Sequence, residues 1–232
     1  MRKAVVLLSG GLDSSTVAAI AKADGKKLFA LTIDYNQRHQ IELDAARKVS
    51  QFLGIRNQVV VPINLRLFGG SSLTDKLEVP KNVPPEQIGL AIPNTYVPAR
   101  NTLFLSLALA YAETVGAGEI YLGISAVDFS GYPDCRPEFL TAFEHLANIA
   151  TKLGVESARS GQPGFRIHAP LLHWSKAETI RRGLELGFDY GLTWTCYAPS
   201  PNDLSCGQCE SCTLRQQGFR EAGASDPLEY EQ

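Results

Sequence analysis

The apolar run Val5-Val6-Leu7-Leu8 breaks at Ser9 into a glycine pair, Gly10-Gly11, and then into a hydroxyl-rich helix start at Leu12, Asp13, Ser14, Ser15 and Thr16. A buried strand that passes through so tight a turn into a helix is the opening unit of an α/β fold. Glycines take backbone conformations closed to other residues and bring the main chain close to a ligand. The first N–H groups of the following helix lack intrahelical partners and face whatever lies before them, so an anion fits there. The end of the first buried strand is also where open α/β sheets put ligands. The turn has neither G-x-x-x-x-G-K-[ST] nor G-x-G-x-x-G spacing, which excludes the two better-known phosphate loops. The simpler alternative is a strand-turn-helix whose Ser14 caps the helix.

Five apolar runs read as strands, namely Lys3 to Leu8, Leu28 to Ile33, Gln58 to Ile63, Ile120 to Ile124 and Phe165 to Pro170. Each is near-continuously apolar at its centre, as strands covered on both faces of a parallel sheet are. Helical spacing lies between them. Gln40 to Gly54 carries Ile41, Ala45, Val49, Phe52 and Leu53 on one face, and Asn101 to Gly116 is apolar almost all round, which predicts deep burial. Further helices are expected from Pro137 to Leu153 and from Lys176 to Leu186. The alternation predicts a doubly wound, parallel, five-stranded sheet with right-handed crossovers over residues 1–190, followed by a small appendage over 191–232. Long irregular stretches at Gly69 to Ala99 and Ser125 to Arg136 read as functional loops, and the acidic end after Glu221 reads as frayed.

With 232 residues, 44% hydrophobic and 20% charged, the chain can bury a sizeable core, and a net charge of −2 offers no general attraction to nucleic acid or anionic lipid. No stretch approaches the roughly 18 apolar residues of a membrane helix, and no signal-peptide pattern opens the chain. The expectation is a cytoplasmic protein without a membrane or nucleic-acid partner.

Cys196, Cys206, Cys209 and Cys212 form C-x9-C-x2-C-x2-C, in which Gly207 lets the chain curl so that the thiolates converge. Four thiolates in a closed tetrahedron describe a structural zinc site with no open position for chemistry. An iron–sulfur cluster is the rival, although ferredoxin runs keep their fourth cysteine downstream and here it is upstream. Cys135 stands apart beside Arg136, whose charge could activate it, and it also reads as a small packing residue.

The turn S-G-G-x-D-S resembles the PP-loop of the ATP pyrophosphatases, which cleave ATP between its α and β phosphates. Three further blocks stand with it: Asp34-Tyr35-Asn36-Gln37-Arg38-His39, Ile92 through Asn101, and Asp128-Phe129-Ser130-Gly131-Tyr132-Pro133-Asp134-Cys135-Arg136. Together with the cysteine set, they are similar to the 7-cyano-7-deazaguanine synthase family across the chain up to Arg215. That resemblance implies ATP-dependent conversion of 7-carboxy-7-deazaguanine and ammonia to the nitrile by a homodimer, on the route to queuosine.

The resemblance assigns Leu8, Ser9, Gly10, Gly11, Leu12, Asp13, Ser14, Ser15 and Thr16 to ATP, through backbone and hydroxyl donors, with Asp13 as a plausible magnesium ligand. Arg100 and Lys176 are the cations expected at the α-phosphate. The guanine-like edge presents adjacent N–H donors, which Asp128 or Asp134 could accept, while Phe129 or Tyr132 stacks on the ring. Gln37, Arg38 and Arg136 join this substrate set. His39 or Glu178 could take protons from incoming ammonia. Two rivals keep the same turn: a sulfur-transferring tRNA enzyme that uses Cys135, and a non-catalytic ATP sensor.

Overall fold

The structure, a computed structural model, describes residues 2–36, 41–84, 87–88, 90–126 and 131–231. Strands β1 (Lys3–Leu7), β2 (Lys27–Asp34), β3 (Asn57–Pro62), β4 (Glu119–Tyr121) and β5 (Arg166–His168) form a parallel sheet in the order β3-β2-β1-β4-β5. Helices α1 (Leu12–Ala23), α2 (Ile41–Phe52), α3 (Arg100–Val115), α4 (Pro137–Ala150), α5 (Lys152–Ser160), α6 (Lys176–Glu185) and α7 (Glu210–Ala222) connect and cover it.

Side chains of a strand alternate between faces, and the sheet's two cores follow that period. Val5, Leu31 and Ile120 pack with Leu105 and Ala108 of α3 and Phe143 of α4. Ala4, Val6, Ala30 and Tyr121 pack on the other face with Val17 of α1, Val49 of α2, Ile180 of α6 and Phe219 of α7. The chain runs outward from β1 through β2 to β3, then crosses back to β4 on the opposite side. The carboxyl ends of β1 and β4 therefore flank the crevice where such sheets bind ligands.

Four local expectations need correction. β3 pairs only with β2 and keeps Val59 and Val60 more than a third exposed, so its apolar run marks an edge strand rather than one covered on both faces. α3 buries only Leu105, Ala108 and Ala112, while Leu103 stands on an outer surface. The helix expected from Pro137 to Leu153 is divided at Thr151, which is extended and whose hydroxyl accepts from the Gly154 amide at 3.1 Å to start α5. The terminal segment is tied down: the Asp226 carboxylate pairs with Arg215 at 2.9 Å, and the Glu231 amide donates to the Ser205 carbonyl at 2.8 Å.

Candidate active site

A cavity of about 220 Å³ opens at the switch point, between Leu8 and Ser9 after β1 and Leu122 to Ile124 after β4. Its floor is the glycine turn between β1 and α1. Gly10 is left-handed at φ 84°, and a side chain there would lie 2.6 Å from the carbonyl oxygen of Glu42, so only glycine lets α2 pack so close. Gly123 does the same from β4, where an added Cβ would sit 2.6 Å from the Ser14 nitrogen.

Gly11 precedes α1 without a side-chain cap, which leaves the helix N-terminus facing the cavity. Ser14 is not the cap that a simple strand-turn-helix would need. Its hydroxyl lies 2.9 Å from that of Ser9 and accepts from the Ser9 amide at 3.2 Å, bracing the turn from within. Leu8, Ser9, Gly11, Leu12, Asp13 and Ser14 all line the cavity. The side chains of Ser15 and Thr16 are instead buried; the Thr16 hydroxyl donates to the Leu12 carbonyl and meets that of Tyr190, both at 2.8 Å. Helical geometry turns these two away from the cavity, so their hydroxyls are not available to a phosphate there.

Across the cavity stands Arg100, the first residue of α3, with its guanidinium 5.7 Å from the Tyr35 ring centre and 5.9 Å from that of Phe104. Burial disfavours its charge, but Tyr35, Tyr197, Tyr132 and Cys135 around it raise its hold on the proton. Tyr35 hydrogen-bonds to Arg100, yet burial and the neighbouring Glu42 push its phenol up to about 12. Glu42, in the first turn of α2, also lines the cavity. Burial raises its carboxyl to about 7 against the opposing pull of Arg100. Nothing in the helical spacing of Glu42 distinguishes it from a surface acid; only its place soon after the Asp34 to His39 block hints at the site.

Lys176 and Asp13, read separately from sequence, meet each other: the ammonium donates to the two carboxylate oxygens at 2.8 and 2.6 Å. Lys176 lies beside the main cavity in a small adjoining one of about 50 Å³, which it shares with Asp13, Thr195 and Glu210. Glu178 is a poor proton acceptor, because it is held in a capping box with Ser175 that keeps its carboxyl below the usual range.

Asp134 is buried, and its Oδ2 accepts from the Asn101 amide at 2.8 Å, so it serves as a cap for α3. Asn101 returns hydrogen bonds to the Asp134 carbonyl at 3.3 Å and to Cys135 Sγ at 3.0 Å. Cys135 is thus a buried acceptor in the cavity wall. Arg136 is exposed, with Nε donating to the Pro133 carbonyl at 3.1 Å, and it lies outside the cavity lining. Tyr132 does line the cavity, its hydroxyl 3.0 Å from that of Thr95. Gln37, Arg38, His39, Asp128 and Phe129 lie outside the described residues.

The ligand atoms of Cys196, Cys206, Cys209 and Cys212 fall within 4.8 Å of one another, and all four residues are buried. The amides of Cys206 and Cys209 donate to the sulfurs of Cys196 and Cys206, each at 3.3 Å. Hydrogen bonds from Cys196 and Cys212 hold the Cys209 thiol far below its ordinary range. Four converging sulfurs supported by N–H donors fit a thiophilic, tetrahedral ion. This segment also braces the cavity. Arg215 of α7 donates to Thr193 Oγ1 at 2.7 Å and to the Tyr190 carbonyl at 3.1 Å, just before Trp194, whose amide donates to the Gly10 carbonyl at 2.9 Å.

The family profile described as "Queuosine biosynthesis protein QueC" matches residues 3–223. A 7-cyano-7-deazaguanine synthase of Rhizorhabdus wittichii is 57% identical over 229 residues, which cover 99% of this chain and 96% of the relative. One of Paramagnetospirillum magneticum is 55% identical over 230 residues, covering 99% of each. Among solved structures, NMN synthetase from Francisella tularensis superposes with a TM-score of 0.50 at 14% identity, over 97% of this chain and 78% of that one. That likeness concerns the fold alone. A profile match over nearly the whole chain, joined to full-length identity above one half, makes this chain a member of the QueC queuosine-biosynthesis family.

Proposed function

We propose that the protein is an ATP-dependent ligase that forms a C–N bond, converting 7-carboxy-7-deazaguanine and ammonia to 7-cyano-7-deazaguanine. The observation that carries this reading is the opposition, across one cavity, of the uncapped start of α1 and the half-buried guanidinium of Arg100. A triphosphate laid on that turn has its leaving pyrophosphate among backbone N–H groups. Arg100, preorganised between two rings, then stabilises the charge that grows as the substrate's carboxylate attacks the α-phosphorus. The resulting acyl adenylate accepts ammonia and loses AMP to give the amide. A second adenylation of the amide oxygen, followed by loss of AMP, leaves the nitrile.

Ser9, Gly11, Leu12, Asp13 and Ser14 take the nucleotide, Gly10 contributes through backbone geometry, and Ser15 and Thr16 act as helix and core. Lys176 sets a positive charge beside the turn. Both Asp13 oxygens accept from Lys176 and keep lone pairs free, so Asp13 is the candidate ligand for the Mg²⁺ that enters with the triphosphate. Tyr132 and, outside the described residues, Asp128 and Phe129 read the deazaguanine. Asp134 acts through the start of α3 rather than on the substrate's edge.

We assign Zn²⁺ to the four cysteines, one ion per chain. It would supply rigidity and no chemistry, because four thiolates leave no open position. Residues 1–190 form the ATP pyrophosphatase domain and 191–232 the zinc-binding segment. We take a homodimer from the family resemblance, and the charge of −2 supports a protein without a nucleic-acid partner. Among the described residues no helix is long and apolar enough to cross a membrane; the cytoplasm is the location we propose for the enzyme. Sulfur transfer through Cys135 is not favoured, since that thiol is buried and hydrogen-bonded to Asn101.

The test is mass-spectrometric: full-length protein with ATP, Mg²⁺, ammonium and 7-carboxy-7-deazaguanine, following the deazapurine together with AMP and pyrophosphate. Appearance of the amide and then the nitrile supports the reading, whereas ATP binding without conversion overturns it. Metal analysis of the same preparation reads one zinc per chain, or iron if the rival cluster is right.

A further inference from the structure

Three charged side chains line the cavity among the described residues: Asp13, Glu42 and Arg100. Asp13 is paired with Lys176, and Arg100 serves the phosphate in the reading above. Glu42 is left without a part in adenylation, yet its position is built with care. The tight approach of its backbone to Gly10 anchors it at the turn, and it lines the cavity together with Arg100 and Tyr35, near enough for their charges to couple.

Amide formation needs such a group. At neutral pH the nitrogen donor arrives as ammonium, which has no lone pair for attack. One proton must leave before the C–N bond forms, and a second must leave as the tetrahedral adduct expels AMP.

We propose that Glu42 captures the incoming ammonium in this cavity and accepts its first proton. The proposal rests on the amidating function above. The ammonium proton passes to the Glu42 carboxylate, and the freed lone pair attacks the acyl carbon. The bond from that carbon to the AMP oxygen breaks, and the second proton leaves with the phosphate or to water. Glu42 then returns its proton to solvent and is ready for the next ammonium. A carboxyl lifted toward neutrality is suited to that exchange. Arg100 acts on it directly and it acts in turn on Tyr35, while Asp13, Tyr132, Tyr197 and Cys135 are the other titratable groups around the cavity.

Hydroxylamine separates proton acceptance from every other role, because it is largely unprotonated at neutral pH and traps an acyl adenylate without a base. With Glu42→Gln in the full-length protein, ammonium-dependent amide formation should fall roughly 100-fold, within the ordinary range for a lost general base. Hydroxamate formation from the same acid and ATP should stay within a few-fold of the parent protein. Glu42→Asp, which keeps a carboxylate, should recover part of the ammonium rate and guards against a Gln variant that fails to fold. Equal loss with both nucleophiles would make Glu42 a structural or adenylating residue and overturn the proposal. Unchanged ammonium rates would overturn it too. If the parent protein itself forms no hydroxamate, the amidating reading fails, and the Glu42 role fails with it.

Discussion

Lys176 Nζ sits 2.8 and 2.6 Å from the two carboxylate oxygens of Asp13, joining the first turn of α6 to the first turn of α1 across 163 positions of sequence. The pair is mostly buried, with side-chain exposures of 15% and 23%, and it sets the charge at the edge of the glycine turn proposed to hold the triphosphate.

Lys176→Met should therefore act on chemistry and folding together. The uncompensated Asp13 carboxylate costs roughly 1–3 kcal/mol of stability, the usual penalty for a part-buried polar group that loses its partner. It also faces the incoming triphosphate without neutralisation, and the adenylation rate should drop about 100-fold, as when one charge-stabilising donor is removed. Urea denaturation and AMP release measure the two effects. A variant with parental stability and parental AMP release would show that the pair is incidental.

Glu42 predicts a stability signature that needs no substrate. Its folded value of about 7 lies above the ordinary 4.5, so between those values the folded protein binds more protons than the unfolded one. Stability then falls as pH rises through that window, and the favourable contribution of the protonated form is fully present only below it. Glu42→Gln removes the titration. Its melting temperature should gain on that of the parent protein between pH 5 and pH 8, with the difference changing mainly from pH 5 to pH 7. Parallel curves from thermal melts across that range would mean that the carboxyl is solvated and ordinary.

Arg215 is 1% exposed, and its guanidinium meets Asp226 through Nε and Nη2 at 2.9 to 3.1 Å. The Tyr230 hydroxyl donates to the same carboxylate. Asp226→Ala strands a buried cation and should cost roughly 3–5 kcal/mol, far more than any change in a frayed tail. Denaturant midpoints of this variant and of Glu229→Ala, an exposed neighbour, make the comparison. Similar midpoints would restore the view of a loose C-terminus.

These residues also mark what could be read in advance. Alternating strand and helix patterns fix the sheet, and C-x9-C-x2-C-x2-C announces a convergent thiol site, because both signals are local in sequence. Edge position is not local: Val59 and Val60 look like core residues until β3 is seen to have a single neighbour. The Asp13–Lys176 and Arg215–Asp226 pairings are likewise not local: sequence marks Asp13 and Lys176 as separate site residues without joining them, while Arg215 and Asp226 resemble surface charges. Asp134 reads in sequence as a ligand-contacting acid, and its bond from the Asn101 amide, 33 positions away, is a capping contact that no local pattern shows. Glu42 was missed for the same reason, because its environment comes from α3 and the end of β2 rather than from its own helix.

Gly123 shows how little space separates the sheet from the site. A Cβ there would lie 2.6 Å from the Ser14 nitrogen and 2.8 Å from the Ser14 Cα. Both are backbone atoms, so the start of α1 has to shift to accept a methyl group. Gly123→Ala should thus lose roughly 1–3 kcal/mol, as overpacked positions do. It should also weaken ATP binding, because displacing α1 moves its N–H groups relative to Arg100, and an error of about 1 Å in such a site can cost 100-fold in rate. Gly118→Ala is the matched control ahead of β4, where the added Cβ meets ordinary contacts at 3.9 Å. Calorimetric ATP titration and thermal melts of the two variants decide the matter: if Gly123→Ala behaves like Gly118→Ala in both, α1 is not positioned by this contact, and the turn tolerates more freedom than its packing implies.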